Sequence, residues 1–138
     1  MRLWHKDLIC VLPKKQLLGQ WREVCLIAKE IATKGTPNHV LVNKVMYYDL
    51  QHLHYYASMV SDEMEFRGYK CDFSKFTKWI KVETNHVGSY SLFYNWHNDR
   101  YLKQCYYNLQ EKYDCGAITY EEWRKIHEHY MLIQEGLI

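Results

Sequence analysis

No apolar run in this chain approaches the roughly 18–20 residues that a membrane-spanning helix requires. Lys6, Asp7, Lys14 and Lys15 also interrupt the opening, where a secretory signal would place its apolar stretch. No two cysteines stand at CxxC spacing, and Cys10, Cys25, Cys71, Cys105 and Cys115 make an odd number. They read as reduced intracellular thiols rather than a disulfide framework, which places the chain in the cytoplasm, associated with the nucleoid. Histidines are plentiful, but His52/His54 and His127/His129 are spaced i,i+2. On a helix that spacing points the two rings about 200° apart, so neither pair chelates, and no cysteine stands at zinc spacing. No metal and no cofactor are expected. Glycine and proline number only six and two, and there is neither an internal repeat nor a low-complexity linker.

What is present is a chain of 138 residues, 48% hydrophobic, which is enough to bury a core as one domain over residues 1–138. Net charge is only +2, yet residues 1–44 carry eight Lys/Arg against three Asp/Glu, and residues 45–138 carry ten against thirteen. Farther along, Arg67, Lys70, Lys75, Lys78 and Lys81 oppose only Asp72. A basic first third followed by a basic connector suits phosphate binding, although a solvated face would look the same. Aromatic residues make up 16%, with thirteen tyrosines; these fit either a tyrosine-rich core or a base-stacking surface. Tyr47-Tyr48 and Tyr106-Tyr107 read first as core.

Apolar periodicity is helical throughout. Pro13 suits a first helical position, and Leu17, Leu18, Trp21, Val24, Cys25, Ala28, Ile31 and Ala32 recur at 3–4-residue spacing up to Gly35. Met46, Leu50, Leu53, Ala57, Val60 and Met64 mark a second helix with Gly68 as its left-handed cap. Residues 69–97 read as irregular, with a short helix near 73–79. Asp99 is placed to cap a third helix, and Thr119 with Glu122 forms a capping box for the last. No strand alternation is present. The expectation is an all-α fold: one compact domain of three to four helices joined by irregular loops.

On a helical wheel Gln16, Gln20, Glu23 and Ile27 fall on one flank of the first helix, and Arg22 emerges on the other, near Lys15 and Lys29. Leu26 and Ile27 lie outside the main stripe, so an apolar segment is expected to cover them, and Leu3-Trp4 is the natural one. Packed there, it would bring the α-amine of Met1 toward Gln16, Gln20 and Glu23. An α-amine titrates near pH 8 against about 10.4 for lysine, so at neutral pH a useful fraction is nucleophilic. A neutral amine beside a carboxylate is the kit that imine chemistry needs. His5, beside Trp4, is a candidate proton-transfer or phosphate group, or a plain surface histidine. Lys14-Lys15 could clamp a phosphate backbone or simply solvate the helix start.

These residues carry a resemblance. The opening Met1-Arg2-Leu3-Trp4-His5, followed by Gln16-Leu17-Leu18-Gly19-Gln20-Trp21-Arg22-Glu23, resembles the pyrimidine-dimer DNA glycosylases of the phage endonuclease V family, and their bacterial members above all. Tyr47-Tyr48 through Glu63-Met64 to Arg67-Gly68-Tyr69 is a second similar stretch, and Asn108-Leu109-Gln110-Glu111-Lys112 a fainter third. The resemblance implies a DNA repair glycosylase with lyase activity at abasic sites. In such enzymes the terminal amine attacks C1′ of the damaged nucleotide, expels the base and leaves an imine, while a glutamate on the first helix stabilises the cationic sugar and assists β-elimination. Carried over by motif, Met1 and Glu23 are the catalytic pair. Arg2, His5, Lys14, Lys15, Gln16, Gln20, Arg22 and Lys112 are the DNA-binding set, and the partner is double-stranded DNA, bound by a monomer.

Three departures mark this chain. Phage members expose a threonine once the initiator methionine is removed, but Arg2 is too bulky for that trimming, so Met1 itself is expected to keep the free amine. Gln16 stands where the phage motif has histidine. Residues 131–138 do not match the phage aromatic-lysine patch implicated in dimer recognition. Glycosylase chemistry is therefore better supported than pyrimidine-dimer specificity. The alternative is a non-catalytic nucleic-acid-binding or protein-interaction helical domain on the same scaffold.

Overall fold

A computed structural model describes residues 1–83 and 86–138; Thr84 and Asn85, within the stretch 69–97 read as irregular, lie outside the described residues. Among those described there is no strand, and the all-α expectation holds. The α-helices are α1 (Lys14–Lys34), α2 (Leu50–Phe66), α3 (Ser74–Thr77, one turn), α4 (Asp99–Asp114) and α5 (Tyr120–Gln134), with 3-10 segments at Lys6–Val11 and Asn43–Tyr47. Four of the five α-helices are fifteen residues or longer, in line with the expected three to four.

The stop signals act where the sequence places them. Gly35 closes α1 at φ +81, donating to the Ile31 carbonyl, a left-handed conformation that glycine adopts without a Cβ penalty. Gly68 does the same after α2 at φ +84. The Thr119–Glu122 capping box is formed in both directions. Two boundaries differ. Pro13 is the cap rather than the first helical residue. Asn98, not Asp99, caps α4, its side chain accepting from the Tyr101 amide; adjacent Asn and Asp are equivalent caps by chemistry, and the chain path selects one.

The core runs along the inner stripe of α1. Leu17, Trp21, Val24, Ile27 and Ala28 are buried against α2, which contributes Leu53, Tyr56, Ala57, Val60 and Met64. α3 packs on the other side of α1, where the Trp21 and Phe73 rings stack at 5.8 Å. Of the two residues expected to be covered, Ile27 is buried and Leu26 is 43% exposed. The second half of the chain forms an α4–α5 pair around Tyr106 and Tyr130, stacked at 3.8 Å, with α5 also resting on the Lys6–Val11 segment. Between α3 and α4, residues 86–98 bury Leu92, Phe93 and Trp96 without forming a helix, and Phe93 and Asn95 adopt positive φ. Left-handed backbone is unfavourable for phenylalanine; Phe93 is held there by full burial and by its amide, which donates to His52 Nδ1 at 3.0 Å. No helix among the described residues is long and apolar enough to cross a membrane.

Candidate active site

Residues 1–5 have no regular secondary structure, and an unsecured terminus of that kind normally frays. Here side chains satisfy the backbone group by group. The Arg2 amide donates to Glu23 Oε2 at 3.4 Å, and the Arg2 carbonyl accepts from Gln20 Nε2 at 2.9 Å. The Leu3 carbonyl accepts from the Tyr101 hydroxyl at 2.6 Å. The Trp4 amide donates to Gln20 Oε1 at 2.7 Å, and its carbonyl accepts from the Tyr56 hydroxyl at 2.6 Å. Leu3 and Trp4 are buried, so the segment is anchored by apolar contact as well. Buried peptide groups carry a large desolvation cost unless paired, and each of these pairings removes one.

Gln20 organises the arrangement. It is 1% exposed, and the Trp4 N–H donor fixes which end of its amide is oxygen. Its nitrogen then reaches both the Arg2 carbonyl and Glu23 Oε2, the latter at 3.1 Å. One amide thereby holds both the terminal segment and the carboxylate one helical turn away. The Tyr56 hydroxyl also lies 2.8 Å from Gln20 Oε1, its single proton shared between that oxygen and the Trp4 carbonyl. Met1 and Glu23 are half-buried and continuous with solvent. The chain thus presents its first residue beside a partly exposed carboxylate.

Two neutral imidazoles underlie this segment. The His5 and His97 rings stack with centroids 5.1 Å apart. His5 Nδ1 accepts from the Asp7 amide, and His97 Nδ1 from the Lys6 amide at 3.0 Å. Burial lowers both histidine pKa values, with Asp7 pulling the other way on His5. Both rings therefore stay uncharged at neutral pH and lock the turn into the 3-10 segment.

The predicted residues divide by position. Met1, Arg2, Gln20 and Glu23 come together. Gln20 is interior and positions its neighbours, and His5, 2% exposed, is packed beneath the segment with no surface to offer a phosphate. Gln16 is half-buried, with a shielded Oε1 that finds no partner. Arg2 leans over the Trp4 ring at 5.4 Å, with a guanidinium nitrogen 4.0 Å from Cys105 Sγ. Lys14, Lys15 and Arg22 are exposed on α1, Lys14 over the Tyr69 ring at 5.1 Å. Lys112 is half-buried near the end of α4, and its carbonyl accepts from the Ala117 amide, closing that helix.

Tyr56, His97 and Tyr101 went unnoticed in the sequence. Tyr56 alone left a trace, since a tyrosine on the apolar stripe of α2 needs a hydrogen-bond partner once buried. A cleft of about 880 Å³ opens among Lys6, Cys10, Glu63, Phe66, His129 and Ile138; it includes neither Met1 nor Glu23, and the Cys10 thiol in it is held protonated by burial.

The family model for pyrimidine dimer DNA glycosylases matches residues 1–77. No curated protein and no solved structure matches the chain. The matched stretch contains the terminal segment, Gln20, Arg22, Glu23 and Tyr56, while Tyr101 and His97 support it from beyond. By that match the chain belongs to the pyrimidine dimer DNA glycosylase family.

Proposed function

We propose that this DNA glycosylase works through the α-amine of Met1 and cleaves the strand at the abasic site it creates. The observation that carries this reading is the tethering of Arg2 at both its amide and its carbonyl, which holds the preceding residue beside Glu23. The neutral amine attacks C1′ of the damaged nucleotide, and the glycosidic C–N bond breaks with its electron pair leaving on the base. Loss of the amine proton and opening of the sugar ring give an imine between Met1 and C1′. Removal of a C2′ proton then expels the 3′ phosphate. Glu23 faces the positive charge that develops on the sugar, the role of carboxylates at oxocarbenium-like centres. Reaching C1′ requires a distorted duplex with the nucleotide turned out of the stack. Arg2 and Arg22 hold phosphates beside it, and exposed Lys14 and Lys15 extend the same face. Pyrimidine dimers are the lesion class that the family suggests.

The test is borohydride trapping. Incubation of the untagged protein with duplex containing one abasic site, with borohydride present, should yield a covalent adduct whose DNA-linked peptide begins at Met1. An adduct on an internal lysine overturns the amine assignment. DNA affinity without any adduct on abasic or dimer-containing duplex assigns the chain to a binding role on an enzymatic scaffold.

A further inference from the structure

Lys15, Arg22 and Lys29 recur every seventh residue on α1 and are all exposed. A straight helix drifts about 20° per heptad, so the three form one slowly turning line on its outer face. At 1.5 Å per residue the line is roughly 21 Å long. By the wheel, its drift leads away from the Glu23 flank and toward the side where α3 packs. There Lys29 Nζ lies 5.9 Å from the centroid of the Trp79 ring, and Lys78 Nζ lies 5.4 Å from the same centroid.

Two ammonium groups gathered at one indole, neither of them in a salt bridge among the described residues, are an arrangement that favours an incoming anion. Among the described residues, salt bridges are formed by Arg67 and Arg124 but by none of these cations. Asp72, the acid that faces Lys75 and Lys78, is already hydrogen-bonded by the Ser74 amide and hydroxyl. Trp79 is half-buried, so it serves as a platform for the two ammonium groups rather than as a stacking ring for bases.

We infer that Lys29 and Lys78, brought together on Trp79, form a phosphate contact for the duplex flanking the lesion, continuous with Arg22 and remote from the amine. This rests on the glycosylase reading for its ligand, and charge complementarity with a phosphate chain selects DNA. Lys29 stands six residues beyond Glu23, roughly 9 Å along the helix axis. That is two to three base-pair rises from the attacked nucleotide. The contact would fix the direction in which the duplex leaves the site.

Lys29→Ala/Lys78→Ala is compared with the intact chain in binding to an undamaged 20-base-pair duplex over a range of salt concentrations. Loss of two phosphate contacts should make the dependence of log K on log salt shallower by about two units. Lys29→Arg/Lys78→Arg should restore it, and a helical circular dichroism spectrum matching the intact chain shows that the fold is kept. An unchanged slope for the alanine pair, while the intact chain binds and is trapped on abasic duplex, overturns the contact and leaves the glycosylase reading in place. Loss of binding to anionic phospholipid vesicles, with DNA binding unaltered, also overturns it. An intact chain that neither binds duplex nor is trapped removes the underlying reading, and this contact with it.

Discussion

The Arg2 amide donates to Glu23 Oε2 across 3.4 Å, joining residues twenty-one apart in sequence. The bond is long for N–H···O, so it places the terminus without using up the carboxylate. The second hold on Glu23 comes from Gln20 at 3.1 Å. Neither bond requires the carboxylate's charge, since an amide oxygen in the same place would accept both.

Glu23→Gln should therefore keep the fold, the terminal geometry and the affinity for duplex. Strand cleavage at abasic sites should fall by orders of magnitude, because a charge facing a developing cation contributes about 3–4 kcal/mol to the transition state. Single-turnover cleavage rates together with a binding isotherm check this. Cleavage at the rate of the intact chain would remove Glu23 from the chemistry.

A short tag left on the N-terminus converts the proposed nucleophile, the Met1 α-amine, into an amide and displaces the new terminus from Glu23. The basic face of α1 is untouched, so duplex affinity should persist while the trapped adduct disappears. Releasing the tag with a protease that leaves Met1 first should restore trapping. An adduct that forms equally well with the tag in place would make an internal lysine the nucleophile.

Gly19 has no packing reason to be glycine. A Cβ built on it meets only the end of the Arg22 side chain, at 3.8 Å, and its φ is not positive. Glycine within a helix costs about 0.5–1 kcal/mol relative to alanine, so Gly19→Ala should raise the melting temperature by a few degrees. Gly19 also lies one turn below Arg22 and Glu23 on the helix surface, where the proposed mechanism brings the reacting strand close. The more stable variant should accordingly bind and cleave abasic duplex more weakly. Greater stability with undiminished cleavage would mean that nothing approaches α1 at that point.

The helices were legible because their signals are local: a 3.6-residue apolar period, Gly35 and Gly68 after the last turns, and Thr119 with Glu122 at a start. The meeting of the terminal segment with α1 was legible too, since Ile27 needed an apolar cover and Leu3-Trp4 was the nearest free one. The supports of that segment were not. Tyr56 reaches Trp4 across 52 positions and Tyr101 reaches Leu3 across 98; no period or motif links residues so far apart. Gln20 and His5 carried the right positions with the wrong surroundings. A polar side chain on a helix flank reads as a surface group until the segment that buries it is placed. The path of residues 86–98, with left-handed Phe93 and Asn95, has no sequence signature, because tertiary packing holds it there.

Acid should loosen the structure through the histidine pair under the terminal segment. Burial sets the His97 pKa well below the ordinary histidine value, and His5 and Lys6 push it the same way; His5 is also lowered by burial. In the unfolded chain both titrate near 6.5. Below that pH the unfolded state binds protons that the folded state refuses, so stability is full above about 6.5 and falls as the pH drops toward the folded values. Each unit of pKa difference amounts to about 1.4 kcal/mol. His97→Asn keeps an acceptor for the Lys6 amide and has no proton to gain. Its melting temperature should start lower at pH 7, because a ring is lost from the stack, and then fall less between pH 7 and pH 5 than that of the intact chain. His5, His52 and His54, also lowered by burial, remain in both proteins and account for the residual slope. Parallel declines for the two proteins would mean that His97 is not the group through which acid acts.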